Sequence, residues 1–348
     1  MAKPTIHDVA RLAQVSIKTV SRVTNGDSYV AADTAERVRR AIEELGYQAN
    51  PNARSLRIGR DDAVGLIIES IGDPFFASVT EAVEDAAREA GLFLLVASAG
   101  ETPDQERAAV RGLLNRSVRG LIIVPCHLSY GTDQVLNRPE NVPVVFADRP
   151  PDRLDADVVM IDNAATGHTA ASHLISYGHR RIAFVGTEVD QYAVGARLGG
   201  YRTALEEHGL VFDPGLVVSR HLASQRHPAA DGDLPLSRML ADPDPPTAVL
   251  CGNLLAGVAA ARELHRTART DVAMVSIDDF PVADSLDPAI TVLTQSPELM
   301  GRAAVELLLD RIAGEESGPR RMVLPTTFIA RGSGEIPYRH DPRVSAQR

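Results

Sequence analysis

The chain has 348 residues, of which 44% are hydrophobic and 24% charged, so it is long enough for two or three domains with buried cores. No apolar run approaches the roughly 18 residues of a membrane-spanning helix, and the helix-patterned N-terminus does not resemble a signal peptide. Two cysteines, Cys126 and Cys251, favour a reducing cytoplasm over a disulfide framework, and both are expected to be buried and inert.

Charge is divided unevenly along the chain. Residues 1–60 carry ten Lys/Arg and six Asp/Glu, a net charge of +4. The other 288 residues carry a net charge of −14, within a total of −10. A small basic head on an acidic body predicts that the head binds a polyanion which the body repels. A head that is merely solvated is the alternative on charge alone.

The first two elements of the head are short amphipathic helices. Thr5 and Asp8 have the spacing of a capping box, followed by apolar residues at helical intervals. Ser16 is the expected cap of a second helix, which turns Val20 inward and stops at the Asn-Gly pair at 25–26. The two helices and their tight turn are typical of a helix-turn-helix.

A third helix completes the head, residues 1–48. Asp33 or Thr34 is its expected N-cap, Val38 lies on its inner stripe, and Gly46 is its C-terminal glycine. This arrangement places the second helix in the major groove of DNA. A generic three-helix bundle with a polar face is the alternative.

The outer face of the second helix has side chains suited to DNA. Lys18 and Arg22 can donate to guanine, and Ile17 can contact a thymine methyl group. The hydroxyl side chains suited to phosphate oxygens are Ser16, Thr19 and Ser21.

The segment "TIHDVARLAQVSIKTVSRVTNG" resembles the DNA-binding head of the lactose-repressor (LacI/GalR) family, and the similarity extends over essentially the whole chain. The resemblance implies a dimer that binds double-stranded operator DNA. The candidate DNA-binding residues are Thr5, Ser16, Ile17, Lys18, Thr19, Ser21, Arg22, Asn25, Tyr29, Asn50, Ala53, Arg54, Leu56 and Arg57.

Residues 49–61 are predicted to be a hinge. Asn50 and Pro51 have the pattern of a helix start, but a helix of one or two turns is unstable alone and needs its dimer twin and DNA. Leu56 would then be an apolar wedge between base steps in the minor groove, with Arg54 and Arg57 near phosphates. The resemblance implies the same wedge. Packing of Leu56 against the body is the alternative.

The body alternates short apolar strands with amphipathic helices, which predicts an α/β fold of two doubly wound parallel-sheet lobes. The resemblance implies a periplasmic-binding-protein-like architecture. We expect the first lobe to comprise residues 62–160 and 296–320, and the second 161–293 and 321–335, within a body of residues 62–340. The tail, 336–348, has no leucine heptad, so we expect a homodimer and no tetramer.

Two such lobes bind a ligand in the cleft between them, at the carboxyl ends of strands. The residues at those ends are Asp73, Phe75, Phe76, Asp148, Arg149, Arg197, Asn253, Asp278 and Gln295. Carboxylates, arginines and amides beside aromatic rings suit a polyhydroxylated ring. A helix cap or a solvated loop is the alternative for each residue. The sequence therefore predicts a sugar effector.

The resemblance supports the effector site, since "DRP", "RLGGYRTAL", "SIDD" and "TQSPELMGRAA" match family landmarks. It departs at Gly252-Asn253, where the family usually has Asn-Asp, so an effector hydrogen bond is expected to be altered. A nucleoside, purine or sugar-phosphate effector that acts as co-repressor, or an activator of the same architecture, stays open.

Other classes of protein fit less well. The chain has no phosphate-binding loop, nucleophile elbow or metal-ligand spacing, so neither an enzyme nor a cofactor or metal is expected. A transport receptor has no use for the head, and a non-specific chromatin protein would be basic throughout. The sequence predicts a ligand-controlled transcriptional repressor in the cytoplasm, associated with the nucleoid.

We expect Leu56→Ala to weaken specific operator binding by about 1–3 kcal/mol and to leave non-specific binding nearly unchanged, because phosphate contacts carry the latter. Fluorescence anisotropy on operator and random duplexes at one salt concentration measures both. Equal losses on the two duplexes would contradict a wedge.

Overall fold

The structure is a computed structural model of the chain. It describes residues 4–24, 29–47, 62–100, 102–125, 142–151, 155–187, 192–219 and 235–338. The chain divides into two compact units, Met1–Asp61 and Asp62–Arg348, of which the first contains the head. Within the described residues, no helix combines the length and apolar composition needed to cross a bilayer.

The head consists of three helices around a small apolar core. They are α1 (Ile6–Leu12), α2 (Ile17–Thr24) and α3 (Ala32–Leu45). Val9, Val20 and Val38, one from each helix, are completely buried in one cluster. Gln14, with a φ of 53°, lies in the tight turn between α1 and α2. The predicted helix-turn-helix head is confirmed.

Polar side chains cap the starts of α1 and α2, and a glycine ends α3, where the sequence predicts. The Thr5 N–H and hydroxyl both donate to Asp8 Oδ2, at 3.0 and 2.7 Å. The Thr19 N–H donates to Ser16 Oγ at 3.1 Å, so Ser16 caps α2. Gly46 ends α3 in the left-handed conformation, with a φ of 62°.

The predicted N-cap of α3, at Asp33 or Thr34, is wrong. The helix begins at Ala32, and its N-cap is Ala31, which has no side chain that could cap. Asp33 lies in the first turn instead, where its charge interacts favourably with the helix dipole and with Arg37, 4.0 Å away. An acidic residue suits either position, so its presence does not fix the helix start.

The body has two lobes, each built on a six-stranded sheet within the described residues. The first sheet contains β1 (Ala63–Ile68), β2 (Phe93–Ser98), β3 (Leu121–Ile123), β4 (Val144–Ala147), β5 (Asp157–Ile161) and β11 (Arg321–Leu324). Its strand order is β11-β5-β4-β3-β1-β2, and all its pairings are parallel. The second sheet contains β6 (Ile182–Gly186), β7 (Val217–Ser219), β8 (Ala248–Cys251), β9 (Ala273–Ile277), β10 (Thr291–Gln295) and β12 (Thr326–Ile329). Its order is β12-β10-β9-β8-β6-β7.

Helices cover both faces of each sheet, as parallel strands require. In chain order they are α4 (Pro74–Glu89), α5 (Pro103–Leu114), α6 (Asn163–Ser176), α7 (Tyr192–Glu207), α8 (Pro235–Leu240), α9 (Leu254–Arg266) and α10 (Pro297–Ile312). In the first lobe, α4 and α10 pack on one face and α5 on the other. In the second, α8 and α9 cover one face, and α6 and α7 the other. The predicted α/β class is confirmed.

The described chain passes between the lobes at three points: after β5 at Asp162, after β10 at Ser296, and at Pro325. The predicted boundary is wrong at the last point, because Arg321–Leu324 belongs to the first sheet, parallel to β5. Only β12 joins the second sheet, and it runs antiparallel to β10, so that sheet is not wholly parallel. One extended segment serves both sheets, and its apolar pattern does not say where it changes lobe.

Helices α6 and α7 approach each other to backbone contact, because glycines lie at their interface. A Cβ atom on Gly200 would overlap the Ala164 carbonyl oxygen and lie 2.7 Å from the His168 nitrogen. A Cβ atom on Gly167 would overlap the Arg197 carbonyl oxygen. The contact brings the start of α6 next to Arg197.

We expect Gly200→Ala to lower the free energy of unfolding by about 1–3 kcal/mol or more, because the two helix backbones must separate. Gly199→Ala is the matched control: no atom lies within 4 Å of its added Cβ, so the better helix former should raise stability by about 0.5–1 kcal/mol. Urea denaturation of both variants tests the pair. Similar effects of the two substitutions would contradict the close contact.

Candidate functional site

A cavity with about 700 Å³ of empty space lies between the two lobes, at the carboxyl ends of the strands. All nine residues predicted for the effector site line it: Asp73, Phe75, Phe76, Asp148, Arg149, Arg197, Asn253, Asp278 and Gln295. The structure thus brings the nine together, and their role in binding an effector stays a prediction.

Six further residues line the cavity and were missed. They are Glu69, Thr187, Ala193, Val194, Leu254 and Leu255. Glu69 and Thr187 immediately follow β1 and β6, so the rule of strand ends that found the other polar residues could have found these two. The four apolar residues lie on α7 and α9, where a sequence pattern does not separate cavity wall from core.

An ion-pair cluster forms the first-lobe wall. Arg149 Nε donates to Asp148 Oδ2 at 3.1 Å, and Arg149 Nη2 donates to Glu69 Oε2 at 3.4 Å. Asp148 and Arg149 are buried. The guanidinium is held by two carboxylates, so its position is fixed before any ligand arrives.

A second cluster, centred on Arg197, forms the wall of the other lobe. Its Nη1 donates to Asp278 Oδ2 at 3.3 Å and to the Gly252 carbonyl at 2.9 Å. Its Nε donates to Asn163 Oδ1 at 2.8 Å. Asp278 Oδ1 in turn accepts from Gln295 Nε2 at 3.0 Å. Burial raises the pKa of Asp278, and the Arg197 charge opposes that rise.

The two clusters share a backbone feature. Asp148 and Asp278 each directly follow a strand, and each has a φ of 66°, in the left-handed region. Aspartate tolerates this conformation better than most residues that have a side chain. The bend turns each carboxylate toward its arginine at the end of its strand.

The structure gives a reason why Gly252 replaces the asparagine that is usual in the family. A Cβ atom on Gly252 would lie 2.8 Å from the Phe184 ring, so the longer side chain usual in the family has no room. Asn253 accepts from the Ala256 N–H at 2.9 Å as the cap of α9, and its Nδ2 donates to Thr187 Oγ1 at 2.8 Å. Both ends of the Asn253 amide are therefore engaged within the protein.

Asp73 caps α4 and also borders the cavity. Its Oδ1 accepts from the Phe75 N–H at 2.9 Å. Burial raises the pKa of Asp73 to about 6, with smaller contributions from the charges of Glu69, Asp278 and Asp148, against the lowering effect of the Phe75 hydrogen bond. The Phe75 ring meets Phe76 edge-on at 5.3 Å, and Phe76 is mostly buried in the core. Phe75 is therefore the aromatic surface offered to a ligand.

On the head, the predicted base-reading side chains of α2 are exposed. Ile17 is 42% exposed, and Lys18 and Arg22 are exposed as well, while Val20 faces the core. Ser16, Thr19 and Thr5 take part in helix caps, Ser21 is half-buried, and Tyr29 is 91% exposed. The remaining candidates lie outside the described residues: Asn25, Asn50, Ala53, Arg54, Leu56 and Arg57.

Other chemistry is not apparent in the described part of the chain. It contains no group of three or more His, Cys, Asp or Glu side chains placed to hold a metal ion. Cys251 is completely buried, as predicted, and burial raises the pKa of its thiol. Cys126 lies outside the described residues.

Known proteins with the same two parts match this chain. Residues 5–50 match the family described as bacterial regulatory proteins, lacI family, and residues 61–332 match periplasmic binding proteins and sugar binding domain of LacI family. The transcriptional regulator CelR of Thermobifida fusca is 37% identical, over 95% of this chain and 98% of its own. The transcriptional repressor PurR of Erwinia tasmaniensis is 31% identical, over 96% of this chain and 98% of its own.

A solved structure also matches nearly the whole chain. The transcriptional regulator CelR–cellobiose complex is 35% identical, covers 95% of this chain and 99% of its own, and superposes with a TM-score of 0.69. The relatives are transcriptional regulators rather than enzymes, as the sequence predicts. The chain belongs to the LacI family of bacterial transcriptional regulators.

Proposed function

We propose that the chain represses transcription by binding a pseudo-palindromic operator as a homodimer, and that a neutral sugar in the inter-lobe cavity controls this binding. The convergence of nine polar and aromatic side chains in one cavity, on a chain with a helix-turn-helix head, carries the proposal. The proposed location is the bacterial cytoplasm, in association with the nucleoid.

The charges around the cavity favour a neutral ligand. Among the described lining residues, the carboxylates Glu69, Asp73, Asp148 and Asp278 outnumber the two guanidiniums, Arg149 and Arg197. Each guanidinium already forms an ion pair with one of these carboxylates. A phosphate would therefore lose its hydration without gaining a free cation, and would be repelled by the surplus carboxylates. Sugar phosphates fit this site poorly, whereas the hydroxyls of a neutral sugar can donate to the carboxylates.

A second cavity supports a ligand larger than one ring. It has about 680 Å³ of empty space, part of which is open to solvent, and it shares Phe75, Leu254, Asp278 and Gln295 with the first cavity. Its own lining adds four apolar residues, Pro74, Phe280, Pro281 and Pro297, to the polar residues Ser78, Asp279 and Thr294, so one side of it is apolar. We propose that the effector is a disaccharide, with one ring hydrogen-bonded in the first cavity and the second ring against this apolar wall. The relative solved with cellobiose supports this size of ligand.

On DNA, we propose that Lys18 and Arg22 of each recognition helix contact bases and that the neighbouring hydroxyls contact phosphates. The hinge, residues 49–61, is the proposed link to the effector: a change in lobe arrangement alters whether the paired hinges order on the operator. Ligand and DNA then bias one shared equilibrium. Release of DNA by a sugar inducer is the form we propose, and a co-repressor would reverse the sign.

A thermal-shift screen of the full chain tests the effector proposal. The panel contains monosaccharides, disaccharides, polyols, sugar phosphates, nucleosides and purines, each at millimolar concentration. A ligand at 100 times its Kd adds about 2.7 kcal/mol of stability, which is easily detected. A hit confined to purines would replace the sugar with a purine as the effector, and no hit at all would overturn control by these ligands.

We expect Arg197→Ala to abolish the shift given by the sugar, because Asp278 and Asn163 lose the group that orients them. Arg202→Ala, on the outer side of the same helix, is the control and should keep the full shift, since Arg202 is exposed and pairs with Glu206. Isothermal titration of both variants gives the affinities. Equal affinities in the two variants would place the sugar elsewhere.

We expect Asp73→Asn to stabilise the protein at pH 7.5 by up to about 3 kcal/mol, since a rise of about two pKa units corresponds to about 1.4 kcal/mol per unit. The folded-state pKa is raised, so the ionised carboxylate costs stability above pH 6, and this cost disappears as the pH falls toward 4. Asparagine keeps the cap on Phe75 N–H. Urea denaturation of the variant and the wild type at pH 7.5 and near pH 4 measures the gain in stability at each pH. An equal gain at the two pH values would contradict the raised pKa of Asp73.

A further inference from the structure

Four side chains form one continuous hydrogen-bonded line through the wall of the second lobe. Asn163 Oδ1 accepts from Arg197 Nε at 2.8 Å, and Arg197 Nη1 donates to Asp278 Oδ2 at 3.3 Å. Asp278 Oδ1 accepts from Gln295 Nε2 at 3.0 Å. We call this set the polar relay. Its members are all buried: Asn163 is 3% exposed, Arg197 2%, Asp278 7% and Gln295 5%.

The polar relay has an unfilled atom at each end. Asn163 Nδ2 and Gln295 Oε1 are both buried, and neither has a hydrogen-bond partner among the residues that the structure describes. The bonds within the relay fix which atom is which: Asn163 must present its oxygen to Arg197, and Gln295 its nitrogen to Asp278. An unmade buried hydrogen bond is destabilising, so both ends favour any arrangement that supplies a partner.

The two ends attach to two of the segments that join the lobes. Asn163 is the first residue of α6, directly after the passage at Asp162. Gln295 is the last residue of β10, directly before the passage at Ser296, which leads into α10 of the first lobe. The polar relay therefore connects the inter-lobe passage at Asp162 with the passage at Ser296, through residues that line the cavity.

Asn163 is not needed to begin its helix. Asp162 is the cap of α6, accepting from the Ala165 N–H at 2.9 Å. Asn163 reaches Arg197 because the glycine contact between α6 and α7 lets the two backbones approach. Asn163 itself is absent from the lining of the cavity, unlike the other three members of the relay.

We propose that Asn163 is a positioning residue that couples the occupied cavity to the inter-lobe passage at Asp162. A sugar hydroxyl fills the acceptor at Gln295, and its contacts with Arg197 and Asp278 shift the bonds along the relay. Asn163 Nδ2 finds its acceptor in one of the two lobe arrangements and so biases the equilibrium between them. This role rests on the proposed function, because it requires a ligand in the cavity.

The test separates coupling from binding in the full-length protein. Calorimetry with cellobiose, or with the panel sugar that gives the largest shift, measures effector affinity. Fluorescence anisotropy measures operator affinity without the sugar and with saturating sugar, and the quotient of the two affinities is the coupling ratio. Wild-type ratios of about 5–150 are typical of allosteric proteins.

We expect Asn163→Ala to reduce the coupling ratio to about 2 or less. Asn163→Asp keeps the oxygen that accepts from Arg197 but removes the donor, so it should still bind the sugar and also lose most of the ratio. Ser172→Ala is the matched control, since Ser172 is on the same helix and its buried hydroxyl also has no hydrogen-bond partner within the described part of the chain. Its ratio should equal that of the wild type.

Each outcome decides between the ideas. Wild-type ratios in both Asn163 variants overturn the coupling role while leaving the sugar site intact. Weaker sugar binding or lower stability with an unchanged ratio shows a purely structural residue and overturns it equally. A wild-type protein that binds no sugar in the panel overturns the proposed function, and the coupling with it.

Discussion

The buried ion pair between Arg197 and Asp278 sets the geometry of the second lobe around the cavity. Burying two charges is costly unless their remaining hydrogen-bonding positions are filled. Here Asn163, the Gly252 carbonyl and Gln295 fill them, so residues of α6, β10 and the end of β8 are tied to α7. The hydrogen bond from Arg197 to Asn163 depends in turn on the glycine contact, because α6 could not come close enough to α7 with larger side chains there.

The two walls of the cavity are built from the same arrangement of an aspartate and an arginine. In each lobe an aspartate in the left-handed conformation follows a strand and holds an arginine, as Asp148 holds Arg149 in the first lobe. Backbone strain of this kind persists where the surrounding structure fixes it, and it is common at ligand sites. The guanidiniums are thereby committed to protein carboxylates, which leaves hydrogen-bond acceptors rather than free positive charge to recognise a ligand.

The sequence could predict this site because strand ends are visible in it: a polar residue directly after an apolar run, such as Asp278, lies at the carboxyl edge of a sheet. It could not predict Asn163, whose contact with Arg197 depends on two helices packing at glycines. Nor could it explain Gly252, which is set by the Phe184 ring across the sheet. The predictions of the start of α3 and of the lobe change near Pro325 were wrong for the same reason, since packing rather than local sequence pattern decides both.

The division of one extended segment at Pro325 also affects how the body can be cut or rearranged. Neither lobe is a continuous stretch of chain, so no single break separates one intact lobe from the other. Loss of the chain beyond residue 320 would remove β11 and β12 together and leave β5 and β10 as new sheet edges. Both are largely buried strands, and apart from Asp157 at the start of β5 they contain no charged residue or proline of the kind that protects natural edges. A shortened protein would therefore expose one unpaired strand edge in each lobe. We expect such edges to pair with other molecules, so that the protein aggregates rather than simply losing activity.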